Sequence, residues 1–280
     1  MTITNDPNKK AFDPRESRFL VLGGTGFLGR HIVREFAGRK WPVVAMRRWN
    51  TPSTGLDLPG VEIVVGEIFE PASLKAALAG VNVVIYCIAP IIDLTSREIL
   101  RTSVEGVRRV LEACREENID RVLLTSSAST VGRGNPGHKA SEKEFYLPGS
   151  STDPFAEAKY AVELEAYRFV ADGMDLVFLN PSLVVGPGLD LSPYARLGVD
   201  PERPINKITV QEVARMHAEA VLRGRTGERY LIGGENLTAG ELFEGWSSRG
   251  KNSHRPRESY LVEHGQWLDL TKARRELGLS

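Results

Sequence analysis

The chain has few residues that would hold a fold together through covalent bonds or metal ions. Its 280 residues include only two cysteines, Cys87 and Cys114, and both lie in apolar patterns (IYCIA and VLEAC). Buried reduced thiols in a reducing, cytoplasmic environment are therefore expected rather than a disulfide. The five histidines show no metal-ligand spacing with one another or with cysteine, so no metal site is predicted.

An excess of charge and long apolar runs are also missing. Lys plus Arg number 36, Asp plus Glu number 36, and the net charge is zero, so nothing points to a nucleic-acid partner. No apolar run is long enough to span a bilayer, and no membrane partner is expected. Residues 1–17 are polar, unlike a signal peptide, and are predicted to form a flexible tail. Residues 18–280 are predicted to form one domain with a C-terminal substrate lobe at about 189–280.

Short apolar runs alternate with helical patterns along the chain. The strand candidates are residues 19–22, 43–46, 61–65, 81–88, 121–125, 175–179 and 229–232. The helix candidates are residues 72–79, 97–117 and 155–170, and two capping boxes, Thr209-x-x-Glu212 and Thr238-x-x-Glu241, each open a further helix. Nearly all-apolar strands that alternate with helices predict an α/β fold with a parallel sheet covered on both faces.

The segment FLVLGGTGFLG at residues 19–29 is the most informative stretch. Four apolar residues lead into three glycines spaced Gly23-x-x-Gly26-x-x-Gly29, and a helical pattern follows at once. A strand that turns sharply into a helix aims unpaired backbone N–H groups at one point, and glycine lets a phosphate approach them closely. The segment predicts a site for a dinucleotide pyrophosphate, with an ordinary strand-to-helix turn as the alternative.

The end of the second strand indicates which dinucleotide would bind. An acid there accepts the ribose 2′-OH of NAD, whereas a basic residue suits the 2′-phosphate of NADP. The strand ends in Arg47 and Arg48, with no acid, so NADP is favoured over NAD; the alternative is that both arginines only cap the strand in solvent. After the third strand, Glu67 is a candidate to hydrogen-bond the adenine amino group, and Ile68 is a candidate to pack beside the adenine ring. The alternative is that Glu67 belongs to a surface turn.

Eight sequence motifs follow one another along nearly the whole chain. They are GGTGFLG at 23–29, VVGEIFEPASLKAALAGVNVVIYCIAP at 64–90, TSVEGVRRVLEAC at 102–114, RVLLTSSASTVG at 121–132, FAEAK at 155–159, NPSLVVGPG at 180–188, LTAGELFE at 237–244 and LDLTKARRELG at 268–278. The chain thereby resembles extended, partly atypical short-chain dehydrogenase/reductases, in the group of dihydroflavonol reductases, 3β-hydroxysteroid dehydrogenases and NAD-dependent epimerase/dehydratases. The resemblance implies a Rossmann-type doubly wound sheet and an NAD(P)-dependent oxidoreductase. By analogy it also implies a homodimer that pairs through the helices at 97–117 and 155–170.

The resemblance also implies roles for particular residues. The pyrophosphate turn would consist of Gly23, Thr25, Gly26, Phe27, Leu28 and Gly29. Ala89 would lie under the cofactor, and Pro181 and Ser182 near the nicotinamide carboxamide. Lys159 would bond the hydroxyls of the nicotinamide ribose. Ser127 matches the catalytic serine, which polarises the substrate oxygen.

The chain departs from the family pattern at the proton donor. The family has the tyrosine of a Tyr-x-x-x-Lys motif, whereas this chain has Phe155 four residues before Lys159. This spacing places both side chains on one helix face. Phenylalanine can neither donate nor accept a proton, and losing such a group typically costs about 10² to 10⁴ in rate. Tyr160, Tyr146, water or a substrate group are the alternative proton sources.

The chain also differs from the family at further positions and carries one basic run. Ser103 stands where the family usually has asparagine, and Asn180 precedes Pro181 where many relatives have arginine. Ser127-Ala128-Ser129 lacks the acidic pair of sugar-nucleotide dehydratases, so that activity is not expected. The basic run at 249–257 is expected to be a solvated loop, or else a contact for an acidic partner.

Three functions follow from these features. The first is an NADP-dependent oxidoreductase with an altered active site that acts on a carbonyl or alcohol of a small organic molecule. The second is a regulatory or accessory protein that binds NADP and has lost turnover. The third is a non-redox isomerase or lyase on the same scaffold.

Overall fold

The molecule is built around a parallel sheet that positions the candidate site at one edge. The structure is a computed structural model that describes residues 12–89, 95–132, 138–149, 154–187, 199–244 and 265–278. Its strands are β1 (Phe19–Leu22), β2 (Val43–Arg47), β3 (Val61–Val65), β4 (Val83–Tyr86), β5 (Arg121–Thr125), β6 (Leu176–Pro181), β7 (Leu183–Val185), β8 (Pro204–Thr209), β9 (Arg229–Ile232) and β10 (Glu235–Thr238). Seven of them form the main sheet in the order β3-β2-β1-β4-β5-β6-β9, with every neighbouring pair parallel. This is the predicted doubly wound arrangement, in which the strand order reverses between β1 and β4.

Helices cover both faces of this sheet. They are α1 (Gly29–Gly38), α2 (Pro71–Leu78), α3 (Ser96–Glu116), α4 (Pro154–Ala171), α5 (Val210–Arg223), α6 (Ala239–Glu244) and α7 (Thr271–Leu277). In β1, Phe19 and Val21 belong to the core layer with α1, α5 and α7, whereas Leu20 and Leu22 belong to the layer with α2, α3 and α4. Because successive side chains of a strand point to opposite faces, this continuously apolar strand is buried on both sides.

The C-terminal part of the chain contributes to two sheets. Strands β7, β8 and β10 form a separate sheet in which β8 pairs parallel with β7 and antiparallel with β10. Elements α5, β9 and α7 instead belong to the main sheet and its core, although they follow the predicted lobe boundary. The small sheet was not predicted, because its strands PINKIT and ENLT mix polar with apolar residues and β7 has three residues.

Both predicted capping boxes form. The Thr209 hydroxyl accepts a hydrogen bond from the Glu212 N–H at 3.2 Å, and Glu212 Oε2 accepts one from the Thr209 N–H at 3.2 Å. The same reciprocal pair joins Thr238 and Glu241 at the start of α6. These bonds satisfy donors that a helix N-terminus would otherwise leave unpaired.

A buried carboxylate ties α4 to the sheet. Glu163 has no solvent exposure, and its Oε1 accepts hydrogen bonds from Thr130 Oγ1 at 2.7 Å and from Asn180 Nδ2 at 2.6 Å. Its Oε2 lies 3.3 Å from Arg229 Nη1. A carboxylate in the interior is tolerated only when it is bonded and paired in this way. The network connects α4 to the turn after β5, to β6 and to β9.

We predict that Glu163→Ala lowers the free energy of unfolding by about 3–5 kcal/mol, because it removes from the interior the carboxylate that pairs with the Arg229 charge and an acceptor of the Asn180 amide. Urea denaturation followed by circular dichroism measures this loss. Glu116→Ala is the control, since Glu116 is exposed at the end of α3, and we expect it to change the unfolding free energy by less than about 0.5 kcal/mol. Equal effects of the two substitutions would contradict the importance of the network.

Candidate cofactor site and active site

The predicted pyrophosphate turn has a backbone geometry that requires glycine. Gly23 has φ of +87°, and the Gly26 N–H donates to the Gly23 carbonyl oxygen at 2.9 Å. A Cβ at Gly29 would overlap that same oxygen, and a Cβ at Gly23 would lie 3.0 Å from the Cys87 carbonyl oxygen. Helix α1 begins here without a side-chain cap and without an acid in its first turn. The N–H groups of Arg30, His31 and Ile32 bond to backbone carbonyl oxygens of Gly26 and Leu28. Within the described ranges, no side chain compensates the positive end of the helix dipole, which therefore suits an anion.

The other residues of the turn hold its shape. The Arg30 guanidinium donates to the carbonyl oxygens of Thr25 at 3.0 Å and Gly26 at 3.2 Å. Phe27 packs against the apolar cluster of the small sheet, and Leu28 packs against the main core. The turn is thus anchored on both sides, which keeps its amides in one arrangement.

The ends of β2 and β3 lie next to this turn. The Gly66 N–H donates to the Arg47 carbonyl oxygen at 2.9 Å, so the two strand ends are joined. The Arg48 side chain is exposed, whereas Arg47 is half-buried. Ile68 packs against the core layer of α2 and α3. The Glu67 N–H donates to the Ser73 hydroxyl at 2.9 Å.

Lys159 lies at the carboxyl ends of two neighbouring strands. It is 4% exposed, and its Nζ donates to the Thr125 carbonyl oxygen at 2.8 Å and to the Ile88 carbonyl oxygen at 3.2 Å. Phe155 shares its helix face, with the ring centroid 5.8 Å from Nζ. Ala89 follows Ile88 and is exposed. The predicted pairing of Phe155 with Lys159 on one face of α4 is therefore present.

Ser127 is held so that its hydroxyl hydrogen is left to bond a further group. Its Oγ accepts hydrogen bonds from the Ser129 N–H at 3.1 Å and from the Ser129 hydroxyl at 2.9 Å. Its carbonyl oxygen accepts from Asn180 Nδ2 at 3.1 Å. A serine hydroxyl has two lone pairs and one hydrogen, so two accepted bonds leave its O–H as the donor. Asn180, at the position where many relatives have arginine, therefore positions the Ser127 backbone.

Several hydroxyls near this edge are buried without a hydrogen-bond partner in the described part of the chain. They are those of Ser103, Ser126 and Ser182. Pro181 ends β6, and Ser182 follows it with its N–H bonded to the Ile232 carbonyl oxygen at 2.8 Å.

The two tyrosines considered as proton sources, Tyr146 in the loop before α4 and Tyr160 on α4, pack against each other. The Tyr146 hydroxyl donates to Glu157 Oε1 at 2.8 Å, and its ring lies 4.9 Å from that of Tyr160. Glu157 is two residues from Phe155, which is about 200° around a helix. The structure therefore does not bring either hydroxyl to the face that carries Phe155 and Lys159.

His217 is a supporting residue whose role the sequence did not reveal. It is fully buried, and its Nδ1 lies 2.8 Å from the Val213 carbonyl oxygen while its Nε2 lies 2.8 Å from Thr125 Oγ1. Burial lowers the pKa of His217 to about 4, so the ring is neutral at pH 7. Nδ1 must then donate to the carbonyl, and Nε2 accepts the Thr125 hydroxyl. The sequence around His217 does not indicate this bond, because Thr125 lies 92 residues away in the chain.

Cys87 lies directly beneath the glycine turn. Its Sγ donates to the Leu22 carbonyl oxygen at 3.0 Å. Burial raises the pKa of this thiol to about 12, although the Lys159 charge acts in the opposite direction. Cys87 is thus protonated at neutral pH and behaves as a packing residue, in keeping with the predicted reduced thiol.

The described residues include neither a membrane-spanning helix nor a metal-binding cluster. No described helix has the length and hydropathy that crossing a bilayer requires. No three His, Cys, Asp or Glu side chains in the described ranges are grouped so that they could hold a metal ion. The basic run at 249–257 lies outside these ranges.

Known proteins resemble this chain over most of its length. It is 28% identical over 266 residues to sterol demethylase protein B of Methylococcus capsulatus, which covers 90% of this chain and 80% of that protein. It is 27% identical to tetraketide alpha-pyrone reductase 1 of Arabidopsis thaliana, with 85% and 82% covered. The solved structure of a nucleoside-diphosphate-sugar epimerase from Pseudomonas aeruginosa superposes with a TM-score of 0.75 at 26% identity, covering 94% of this chain and 91% of that one.

The family model for NAD dependent epimerases and dehydratases matches residues 19–200, which include the glycine turn, Ser127, Phe155 and Lys159. This match spans more than half of the chain and agrees with the parallel sheet order. The chain therefore belongs to the NAD dependent epimerase/dehydratase family.

Proposed function

We propose that this protein is an NADP-dependent oxidoreductase that acts on a carbonyl or alcohol group of a small organic molecule. The observation that carries the proposal is the convergence of three groups at the carboxyl edge of the sheet. The glycine turn contacts Cys87, the next residue accepts a bond from Lys159, and Lys159 also bonds the strand that leads into Ser127. One extended ligand at this edge would therefore meet a phosphate-binding backbone and a hydroxyl donor.

The turn fits the diphosphate of a dinucleotide. The absence of side chains at Gly23 and Gly29 lets the backbone pack closely against the carbonyl oxygens of Cys87 and Gly23 in one tight turn. Helix α1 begins there without a side-chain cap, so its N-terminus suits an anion. When bound, the cofactor supplies hydride chemistry, and the protein supplies orientation and electrostatics. We assign the nicotinamide end to the neighbourhood of Ala89, Pro181 and Ser182, where β4 and β6 end.

NADP is proposed rather than NAD because of the charge at the end of β2. Arg47 and Arg48 stand where an acid would accept a ribose 2′-hydroxyl. Arg48 is exposed there and available to a 2′-phosphate. Glu67 and Ile68, on the adjoining strand end, are assigned to the adenine ring.

The active-site residues are proposed to act through position and hydrogen bonding. The Ser127 hydroxyl, oriented by Ser129, donates to the substrate oxygen and stabilises the charge that develops on it. Lys159 orients the nicotinamide ribose. Phe155 supplies a ring without a hydroxyl, so the proton that completes carbonyl reduction comes from another source, such as water or the substrate itself. The reductase name of the Arabidopsis relative supports a carbonyl substrate.

A specific observation favours a second candidate function. Phe155 occupies the position of the family's proton donor, and neither Tyr146 nor Tyr160 lies on its face of α4. A protein that binds NADP tightly but turns over no substrate would fit this site as well. Its function would then be regulatory.

We predict that the protein binds NADPH at least about tenfold more tightly than NADH, because only NADPH offers a phosphate to the arginines after β2. Isothermal titration calorimetry measures both affinities. Gly29→Val tests the turn and should abolish the binding of both nucleotides, since a side chain there would overlap the Gly23 carbonyl oxygen and displace the turn. Circular dichroism checks that the variant folds. Absence of binding to both nucleotides by the wild-type protein would contradict the proposed function.

We predict that Phe155→Tyr raises the turnover number by about 10²-fold or more, because it places a general acid beside the Lys159 ammonium, which lowers a tyrosine pKa. The assay follows the absorbance of NADPH with a panel of aldehydes and ketones. Phe155→Leu is the matched control and should leave turnover within a few-fold of the wild type. Tight NADPH binding with no turnover in either the wild type or Phe155→Tyr would favour the regulatory function.

A further inference from the structure

A cavity lies between α5, α7 and the small sheet. Its described lining includes none of the residues assigned to the cofactor or to catalysis. Its volume is about 430 Å³, within the range of about 300–1,000 Å³ that small-molecule sites occupy. The turn between β9 and β10, at Gly233 and Gly234, forms one wall, and Val185 at the end of β7 lies on another. The cavity is therefore large enough for a ligand of its own.

The floor of this cavity is apolar. Its side chains are at most 6% exposed, and they are those of Ile208, Met216, Leu231, Leu270 and Ala273. Met216 and Ala273 belong to the main core, and Leu231 and Leu270 belong to a neighbouring apolar cluster. Because each of these side chains is packed into the protein, the floor keeps its shape. It offers no polar side chain, so it suits the apolar part of a ligand.

The acids at the rim of the cavity already have partners. Glu235 Oε2 lies 3.0 Å from Lys207 Nζ, so these two charges compensate each other. Glu212 Oε2 accepts hydrogen bonds from the Thr209 N–H at 3.2 Å and from the Thr209 hydroxyl at 2.6 Å, as part of the capping box of α5. Neither carboxylate is therefore needed by, or available to, a further cation.

Two arginines at the same rim are not compensated in this way. Arg215 on α5 and Arg274 on α7 both line the cavity, and both are exposed. Neither side chain has an ion pair or a hydrogen bond with a residue that the structure describes. Asp269 is the acid nearest in effect to Arg274, but its pKa is lowered chiefly by hydrogen bonds from Thr271 and less by the Arg274 charge. The rim therefore carries two guanidinium groups that can bind an anion.

We propose that this cavity binds a small amphipathic oxyanion. Its carboxylate or phosphate group would lie on Arg215 and Arg274, and its apolar part would lie on the floor at Met216, Leu231 and Leu270. Guanidinium groups suit both kinds of oxyanion, because their planar array of donors forms paired hydrogen bonds with either one. Ser127 does not line the cavity, so the ligand is not the group that would react. The inference is independent of the proposed NADP-binding function.

The test uses the full chain labelled with carbon-13 at its methionine methyl groups, with octanoate as the probe. The chain has four methionines, and of those that the structure describes only Met216 lines the cavity. We expect millimolar octanoate to shift the Met216 signal saturably and to leave the signals of Met46 and Met174 in place. Octanol, which keeps the apolar chain but lacks the charge, should bind at least about tenfold more weakly.

Octyl phosphate distinguishes the two kinds of oxyanion. It carries the same apolar chain as octanoate, so the ratio of the two affinities shows which head group the arginines prefer. Saturable binding of either compound at Met216 supports the proposal. No Met216 shift with either compound, or equal shifts at all described methionines, would overturn it.

Substitutions at the rim locate the anion. Arg215→Ala and Arg274→Ala should each weaken octanoate binding by about tenfold, because each removes a charge-assisted hydrogen bond. Arg275→Ala is the matched control and should bind octanoate as the wild type does. Arg275 is exposed on the same helix as Arg274, but it does not line the cavity and it pairs with Glu276 at 2.8 Å.

Two further results would contradict the proposal. Wild-type affinity in both Arg215→Ala and Arg274→Ala would show that the arginines do not hold the anion. Competitive displacement of octanoate by NADPH would show that the cavity belongs to the cofactor site. Failure of the protein to bind NADPH, with octanoate binding intact, would overturn only the proposed function.

Discussion

The approach of the Gly23 carbonyl to Gly29 is the constraint on which the rest of the candidate site depends. No side chain fits between them, so the chain passes from β1 into α1 in a single tight turn. The direction of α1, and hence the aim of its first amides, follows from this turn. Cys87 packs beneath the turn and has its Sγ bonded to β1. The end of β4 is thereby brought beside the glycines, and with it the carbonyl that Lys159 binds.

Helix α4 provides the second half of the site through two charged residues one turn apart. Lys159 binds the carbonyl ends of β4 and β5, and Glu163 binds the turn after β5 together with β6 and β9. Both charges are buried, so each must be compensated by groups on the sheet. Compensation fixes the helix in its position along the strands. Charge pairing, hydrogen bonding and apolar packing between α4 and the sheet consequently all stabilise the turn after β5 that carries the Ser127 hydroxyl.

Much of this architecture could be predicted because its signals are local. The apolar runs of the main sheet, the glycine spacing and both capping boxes are contained in a few consecutive residues each. The predicted strand at 81–88 was too long, since the structure keeps only Val83–Tyr86 in the sheet. The small sheet and the Glu163 network could not be predicted, because their partners are distant in the chain and their residues are polar. A glutamate in a helical pattern is normally solvated. Nothing in the sequence around Glu163 indicates that Oε2 of its carboxylate lies 3.3 Å from Nη1 of Arg229, which is 66 residues further along the chain.

The presence of Lys159 beside Phe155 does not by itself argue for catalysis. In a Tyr-x-x-x-Lys site the lysine charge lowers the pKa of the tyrosine, and here there is no hydroxyl for it to act on. The structure gives the ammonium another function, because it satisfies the carbonyl oxygens of Thr125 and Ile88 at the strand ends. Lys159 would be needed for those bonds whether or not the protein turns over a substrate. Ser127 differs in this respect, since the bonds from Ser129 to its Oγ leave its hydroxyl hydrogen without a structural role in the turn. Ser127 therefore supports an enzymatic function more strongly than Phe155 and Lys159, the pair at the position by which the family is usually recognised.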